Sequence, residues 1–237
     1  MIKAAVLHVR HRQPRVGGRK LYEHLHQRGI SVGRDQLFDL LREWKLLVRS
    51  RRSYRKTTYS RHHLKVYKNL LKDQPAQRPN AAWVCDITYV QTRERFGYLF
   101  LMTDQFSRKI VGYDFNISLS IEGALAALHM ALKQSPGGRS LIHHSDRGIQ
   151  YCSHDYVRLL ERHGARISMT EDNHVYENAM AERVNGILKT ELLGDTHNIP
   201  FEDVKRLIQE AISIYNNERL HMNLNYQTPD FVHNNYN

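Results

Sequence analysis

The chain has 237 residues, 41% of them apolar and 25% charged, with two cysteines and a formal net charge of +11 at neutral pH. This length and apolar content suit one large packed domain or two smaller ones, and Cys85 and Cys152 alone cannot form a disulfide scaffold, which fits a reducing cytoplasm. No run approaches the roughly 20 apolar residues that cross a bilayer, and no apolar signal segment follows Met1, so the membrane and secreted classes are excluded.

The charge is unevenly spread. Residues 1–80 hold 20 Lys and Arg against 5 Asp and Glu, a net +15, whereas residues 81–237 hold 15 against 19, a net −4. A block that basic predicts salt-dependent attraction to a polyanion, nucleic acid before lipid. The plainer alternative is a solubilising basic face. Residues 2–12 read as a short helix closed by Pro14. A second helix opens at Gly17-Gly18, sets Leu21 and Leu25 on one face and stops at Gly29, a residue suited to the left-handed position after a helix. A third runs from Gly33 to near Trp44 with Leu37, Leu40 and Leu41 on one face. Three short basic helices, the last two joined by a tight glycine-containing turn, predict a small all-α, helix-turn-helix-like DNA-binding domain over 1–48.

A basic linker over 49–79 follows. Arg49, Arg51, Arg52, Arg55, Lys56 and Arg61 alternate with Tyr54 and Tyr59 without a hydrophobic period, as expected of an extended stretch that tracks phosphates. Gln74-Pro75 and Arg78-Pro79 mark its end. From Ala81 the texture turns to strands: 83–91, 97–104 and 109–116 are rich in β-branched and aromatic residues, and polar turns at 93–96 and 105–108 make them an antiparallel meander. Helix 121–134, strand 140–145, helix 154–163 and strand 165–169 then alternate as in a parallel αβ layer. Helical stretches over about 178–193 and 201–217 complete an α/β unit over 80–237.

Three carboxylates sit where solvation alone does not explain them. Asp86 interrupts an otherwise apolar strand, a costly place for a charge without a partner or metal. Asp146 lies just past strand 140–145, at the strand edge where open α/β sheets bind ligands. Glu182 falls on the first turns of helix 178–193. Hard oxygen donors from two strands and a helix suit Mg²⁺ or Mn²⁺, and two such ions serve phosphodiester transfer. Lys189, seven residues beyond Glu182, shares its helix face about 10 Å away and suits a DNA phosphate. Asn178, Arg183 and Asn185 are candidate DNA contacts, with capping or solvent roles as the alternative.

Between Asp86 and Asp146 lie 59 residues, and between Asp146 and Glu182 lie 35. This resembles the Asp, Asp-35-Glu signature of retroviral integrases and related transposases. The flanking words Trp83-Val84-Cys85-Asp86-Ile87-Thr88-Tyr89, His144-Ser145-Asp146-Arg147-Gly148-Ile149-Gln150-Tyr151 and Tyr176–Leu192 are closer still to the second-frame transposase of the bacterial IS-three insertion sequences. So are Tyr215-Asn216-Asn217-Glu218-Arg219-Leu220-His221 and Asn225-Tyr226-Gln227-Thr228-Pro229. The resemblance spans nearly the whole chain. It implies a ribonuclease H-like mixed sheet with flanking helices that performs Mg²⁺-dependent strand cleavage and transfer at insertion-sequence ends. Carried over by position, Asp86, Asp146 and Glu182 form the catalytic, metal-holding triad, and Lys189 contacts DNA. It further implies a homo-oligomer bridging two DNA ends in the cytoplasm, on nucleoid DNA, and fusion with an upstream-frame product through frameshifting.

The chain departs from these patterns twice. Retroviral integrases carry a His-His-Cys-Cys zinc module ahead of the core, but residues 1–80 contain no cysteine, so His8, His11, His24, His26, His62 and His63 lack thiolate partners and zinc is not expected. The family's Asn-Gly before the catalytic helix is absent from Glu171-Asp172-Asn173-His174-Val175. Other polar residues read as structural. Asp104 opens a turn and suits backbone amides, Asp114 suits an edge strand, His143 and His144 suit hydrogen bonds, and Cys85, Cys152, Trp83 and Trp44 suit the core. Two rival functions stay open: a DNA-binding regulator that keeps the fold without the chemistry, and a nuclease of RNA/DNA hybrids.

Overall fold

The computed structural model describes residues 1–48, 63–72, 75–135, 141–171 and 178–236. Three helices come first: α1 (Ile2–Arg12), α2 (Gly18–Gln27) and α3 (Arg34–Glu43). Leu21 and Leu25 on α2, and Leu37 and Leu41 on α3, repeat four residues apart. Each pair therefore stacks on one helix face, and with Val6, Val9, Val16 and Val32 they form a small core of their own. Gly29 takes φ +71° and the Ile30 N–H returns to the Leu25 carbonyl at 2.9 Å, the left-handed closure expected there.

Five strands form one sheet: β1 (Ala82–Gln91), β2 (Phe96–Asp104), β3 (Ile110–Asn116), β4 (Ile142–Ser145) and β5 (Arg166–Met169), in the order β3-β2-β1-β4-β5. The first three are the expected antiparallel meander, and β4 and β5 run parallel to β1. Strand alternation divides β1 between two cores. Trp83 and Cys85 join Phe100, Met102 and Leu128 beneath α4 (Ile121–Gln134), α5 (Ile149–Cys152) and α6 (His154–Arg162). Val90 joins Leu99, Leu101, Val184 and Ile208 on the opposite face, beneath α7 (Ala179–Ile187) and α8 (Phe201–Asn217). A short α9 (Pro229–Asn234) ends the chain. Among the described residues no helix is long and apolar enough to cross a membrane.

Three features differ from the sequence expectation. The stretch 178–193 is not one α-helix: α7 passes at Leu188 into a π-helical segment, Leu188–Leu193. There Thr190 turns its hydroxyl back onto the Gly186 carbonyl at 2.7 Å, a side-chain bond that competes with the regular ladder. Helices α5 and α9 were not anticipated, being too short to show a helical period. The second half of the linker, expected only as part of an extended basic stretch, is laid along the body: Leu64 and Tyr67 pack on the larger core, and the Leu70 N–H meets Ser168 Oγ at 2.8 Å. Arg51, Arg52, Arg55 and Lys56 lie outside the described residues.

The basic helices rest on acids of the body. Arg12 pairs with Glu210 at 2.7 Å and Glu218 at 2.6 Å. Deeper in, Glu191 of the π-helical segment accepts from Lys20 at 2.6 Å and from Arg219 at 2.8 Å. The Arg15 N–H adds a bond to the Glu191 carbonyl at 3.3 Å. Against the cost of burial, Arg219 and Lys20 hold the Glu191 carboxyl below its ordinary value.

Candidate active site

The parallel register of β1 and β4 builds the site. Their last pair is Cys85↔Ser145. The residue after each is an aspartate, so Asp86 on β1 and Asp146 just past the end of β4 come together where backbones run about 5 Å apart. At this point β4 ends while β1 continues along β2 to Gln91, so the sheet splits and opens a notch. Asp146 is fixed in a tight turn by the Gly148 N–H, 3.0 Å from its Oδ1. A Cβ on residue 148 would lie 3.0 Å from that same oxygen, so the turn favours glycine.

Helix α7 covers the notch from the side toward which Asp86 points. Even-numbered residues of β1 face this helix, and the two elements step together. Asn185 Nδ2 donates to Asp86 Oδ2 at 2.7 Å, and Lys189 Nζ donates to Thr88 Oγ1 at 3.2 Å. Four helical residues advance about 6 Å and two strand residues about 6.6 Å, which is why the contacts keep pace. Glu182, one turn before Asn185, is exposed on the same helix. Asn178, at the helix start, is buried and donates from Nδ2 to the Cys85 carbonyl at 3.0 Å.

The three acids feel one another. Asp86 is pushed up to about 7, first by burial and then by Asp146, with Glu182 adding to the effect and the Asn185 amide and Ile87 N–H opposing it. Glu182 is raised by burial and by Asp146. Among the described residues, however, no three acidic, histidine or cysteine side chains form a ready metal cage. The site is a set of oxygen donors that repel one another, and Asp86 and Glu182 hold protons more tightly for it.

Of the other sequence candidates, Arg183 and Lys189 lie exposed on the helix that flanks the notch, whereas the Asn178 amide is turned inward onto β1. The residue overlooked as a partner of Asp86 is Asn185. Its signal was present, because Asn178, Ala181, Asn185 and Leu188 recur at the spacing of one helix face, and that face is the buried one. Asp104 is fully buried and accepts from the Asn80 N–H, the Ser107 N–H and Ser107 Oγ, each at 2.7 Å, as its turn position implied. His143 lies between Cys85 Sγ at 3.0 Å and Tyr156 OH at 2.8 Å, and burial lowers it to about 3. It is a neutral core group. Burial also raises both thiols, Cys85 with help from Asp86 and Asp146 and Cys152 with help from Asp146.

Comparison with known proteins places most of the chain among integrase cores and transposases. The integrase core domain family matches residues 76–174, and a second integrase core domain family matches residues 163–229. The insertion element IS600 uncharacterized 31 kDa protein of Shigella sonnei is 38% identical over 230 residues, covering 96% of this chain and 84% of that protein. Transposase InsF for insertion sequence IS3A of Escherichia coli (strain K12) is 34% identical over 209 residues, covering 87% of this chain and 73% of that one. Among solved structures, the HTLV-2 integrase catalytic core domain in complex with magnesium (trimeric form) aligns with a TM-score of 0.54 at 20% identity, over 67% of this chain and 99% of that one. A chain of the simian T-cell lymphotropic virus intasome in complex with the PP2A regulatory subunit B56 gamma aligns with a TM-score of 0.59 at 19% identity, over 93% and 72%. At these identities the structural likeness establishes a shared fold, the ribonuclease H-like arrangement of integrase cores.

Proposed function

The chain belongs to the family of insertion-sequence transposases that includes those of IS3, enzymes with an integrase core, and we propose that it cleaves DNA at insertion-sequence ends and transfers the freed strand into target DNA. In this reading Asp86, Asp146 and Glu182 are the catalytic residues and hold two divalent cations. The observation that carries it is the meeting of Asp86 and Asp146 where β1 and β4 part, beneath the helix that bears Glu182.

The chemistry of the donor set fits magnesium or manganese. All three candidate ligands are hard carboxylate oxygens, and their mutual repulsion is relieved by added positive charge. Beside them, Asn178 Oδ1 and Asn185 Oδ1 are buried without a donor among the described residues, which suits acceptors facing a hydrated cation. The nearby sulfur and imidazole, Cys85 and His143, are spent on each other inside the core. Bound here, Mg²⁺ or Mn²⁺ supplies Lewis acidity toward phosphate oxygens and lowers the proton affinity of an attacking water or 3′ hydroxyl.

The protein's own share is placement. Asp86 and Asp146 are fixed by short bonds to neighbouring N–H and amide groups, and Glu182 is carried on a helix locked to β1. Lys189 and Arg183 present cations along the notch for DNA phosphates, and the basic residues of the N-terminal helices and of 49–62 extend that grip. A homo-oligomer bridging two DNA ends, and fusion with an upstream-frame product, belong to the same proposal, as does a cytoplasmic location. Purified Glu182→Ala protein should bind end DNA normally in gel shifts and show no Mg²⁺-dependent cleavage or joining. Joining at the wild-type rate would overturn the triad.

A further inference from the structure

We infer that Asn178 and Asn185 are positioning residues for Asp86 rather than DNA contacts, a role that rests on the proposed metal-dependent reaction. The two lie seven residues apart, two helical turns, on the buried face of the helix that carries Glu182. They are only 6% and 4% exposed, so neither amide is offered to a DNA strand. Asn178 Nδ2 holds the Cys85 carbonyl at 3.0 Å and Asn185 Nδ2 holds Asp86 Oδ2 at 2.7 Å. One amide thus fixes the backbone just before Asp86 and the other fixes its carboxylate.

Both bonds fall where the sheet needs them. Beyond the Cys85↔Ser145 pair, β1 has lost its neighbour on the β4 side, and Asn178 supplies a donor to the carbonyl at that edge. At Asp86, Oδ1 accepts from the Ile87 N–H at 2.9 Å while Oδ2 accepts from Asn185. A carboxylate offers about four lone-pair sites, so two are used for orientation and two are left. The choice of amide also matters. Lysine or arginine at 185 would neutralise the acid that is meant to attract a cation, whereas a neutral donor restrains the carboxylate and leaves its charge in place. Because the same helix carries Glu182, the two asparagines also set the distance between Asp86 and Glu182.

The test uses the full-length protein with Mn²⁺ as the probe. Binding is read by electron paramagnetic resonance of free Mn²⁺, and end cleavage is measured across an Mn²⁺ titration. Asn185→Leu keeps the branched shape and removes the donor. It is expected to raise the half-saturating Mn²⁺ concentration about 10–100-fold, the usual cost of losing a group that orients a metal ligand, with unchanged end-DNA affinity in gel shifts. Asn185→Ser, a shorter side chain that still carries a donor, should recover part of the loss. In an Asp86→Asn background, Asn185→Leu should have no further effect on Mn²⁺ binding. Should Asn185→Leu not fold, Asn178→Ser carries the same expectation in weaker form. Wild-type Mn²⁺ affinity in a folded Asn185→Leu protein, or weakened DNA binding with unchanged Mn²⁺ affinity, overturns the inference while leaving the triad standing. Failure of the wild type itself to bind Mn²⁺ and cleave would instead strike the proposed function.

Discussion

Ionised Asp86 should cost the metal-free protein stability, and Asp86→Asn should restore it. The folded-state carboxyl sits at about 7 against an ordinary 3.8. The native protein therefore keeps a proton that the unfolded chain gives up, so stability falls as pH rises from about 4 to 7 and levels off above the folded-state value. At 1.36 kcal/mol per pH unit, the span from 3.8 to about 7 bounds the penalty near 4 kcal/mol. Relaxation and water entry around a half-buried group reduce the expected effect to roughly 1–2 kcal/mol. The asparagine can preserve the local bonds: its Oδ1 replaces the carboxylate toward the Ile87 N–H, and its Nδ2 can donate to Asn185 Oδ1 once that amide turns over. Thermal melts in EDTA are the assay. With about 2–4 °C per kcal/mol for a chain of this size, the variant should melt roughly 2–8 °C above the wild type at pH 8, and the gap should narrow at pH 5. Adding Mg²⁺ should close the gap by stabilising the wild type. A variant melting at or below the wild type at pH 8 in EDTA would refute the idea that these acids are held in mutual repulsion.

Three further substitutions separate structural charges from functional ones. Glu191→Gln leaves Arg219 and Lys20 facing a neutral amide in a joint where all three side chains are at most 13% exposed. It should cost about 3 kcal/mol in a denaturant titration, because breaking a buried pair strands its partners; Arg12→Ala, at the exposed edge of the same seam, should cost under about 1 kcal/mol. Asp104→Ala removes a fully buried acceptor of three hydrogen bonds and should destabilise by about 2–4 kcal/mol without moving the half-saturating Mg²⁺ concentration, whereas a shifted metal dependence would place Asp104 in the site.

What the sequence disclosed follows the range of the forces involved. The meander was legible because Trp83–Gln91, Gly97–Asp104 and Lys109–Asn116 combine β-branched and aromatic residues with polar breaks, a local signal. The closeness of Asp86 and Asp146 was not local: it depends on β4 pairing in parallel with β1, and only the strand-edge position of Asp146 and the motif spacing pointed to it. The π-helical segment escaped because neither it nor the Thr190 bond back to Gly186 disturbs the hydrophobic period. Asn178 suits a DNA contact or a helix cap by residue type alone, whereas its place in the buried period marks it as facing β1. The docking of the basic helices was invisible, since Lys20 and Glu191 are 171 residues apart and a charge count cannot say which charges meet.

That docking changes how the N-terminal cations should register in a salt titration. A Lys or Arg that binds a DNA phosphate strengthens the salt dependence because ions are released as it does so. Arg12 and Lys20 already hold carboxylates of their own chain. Recruiting them to DNA would expose Glu191, Glu210 and Glu218 and draw cations back from solution, offsetting the release. The slope of binding against salt should therefore report fewer contacts than the 20 Lys and Arg of residues 1–80 would suggest, and neutralising Glu210 or Glu218 should steepen it if Arg12 reaches the duplex.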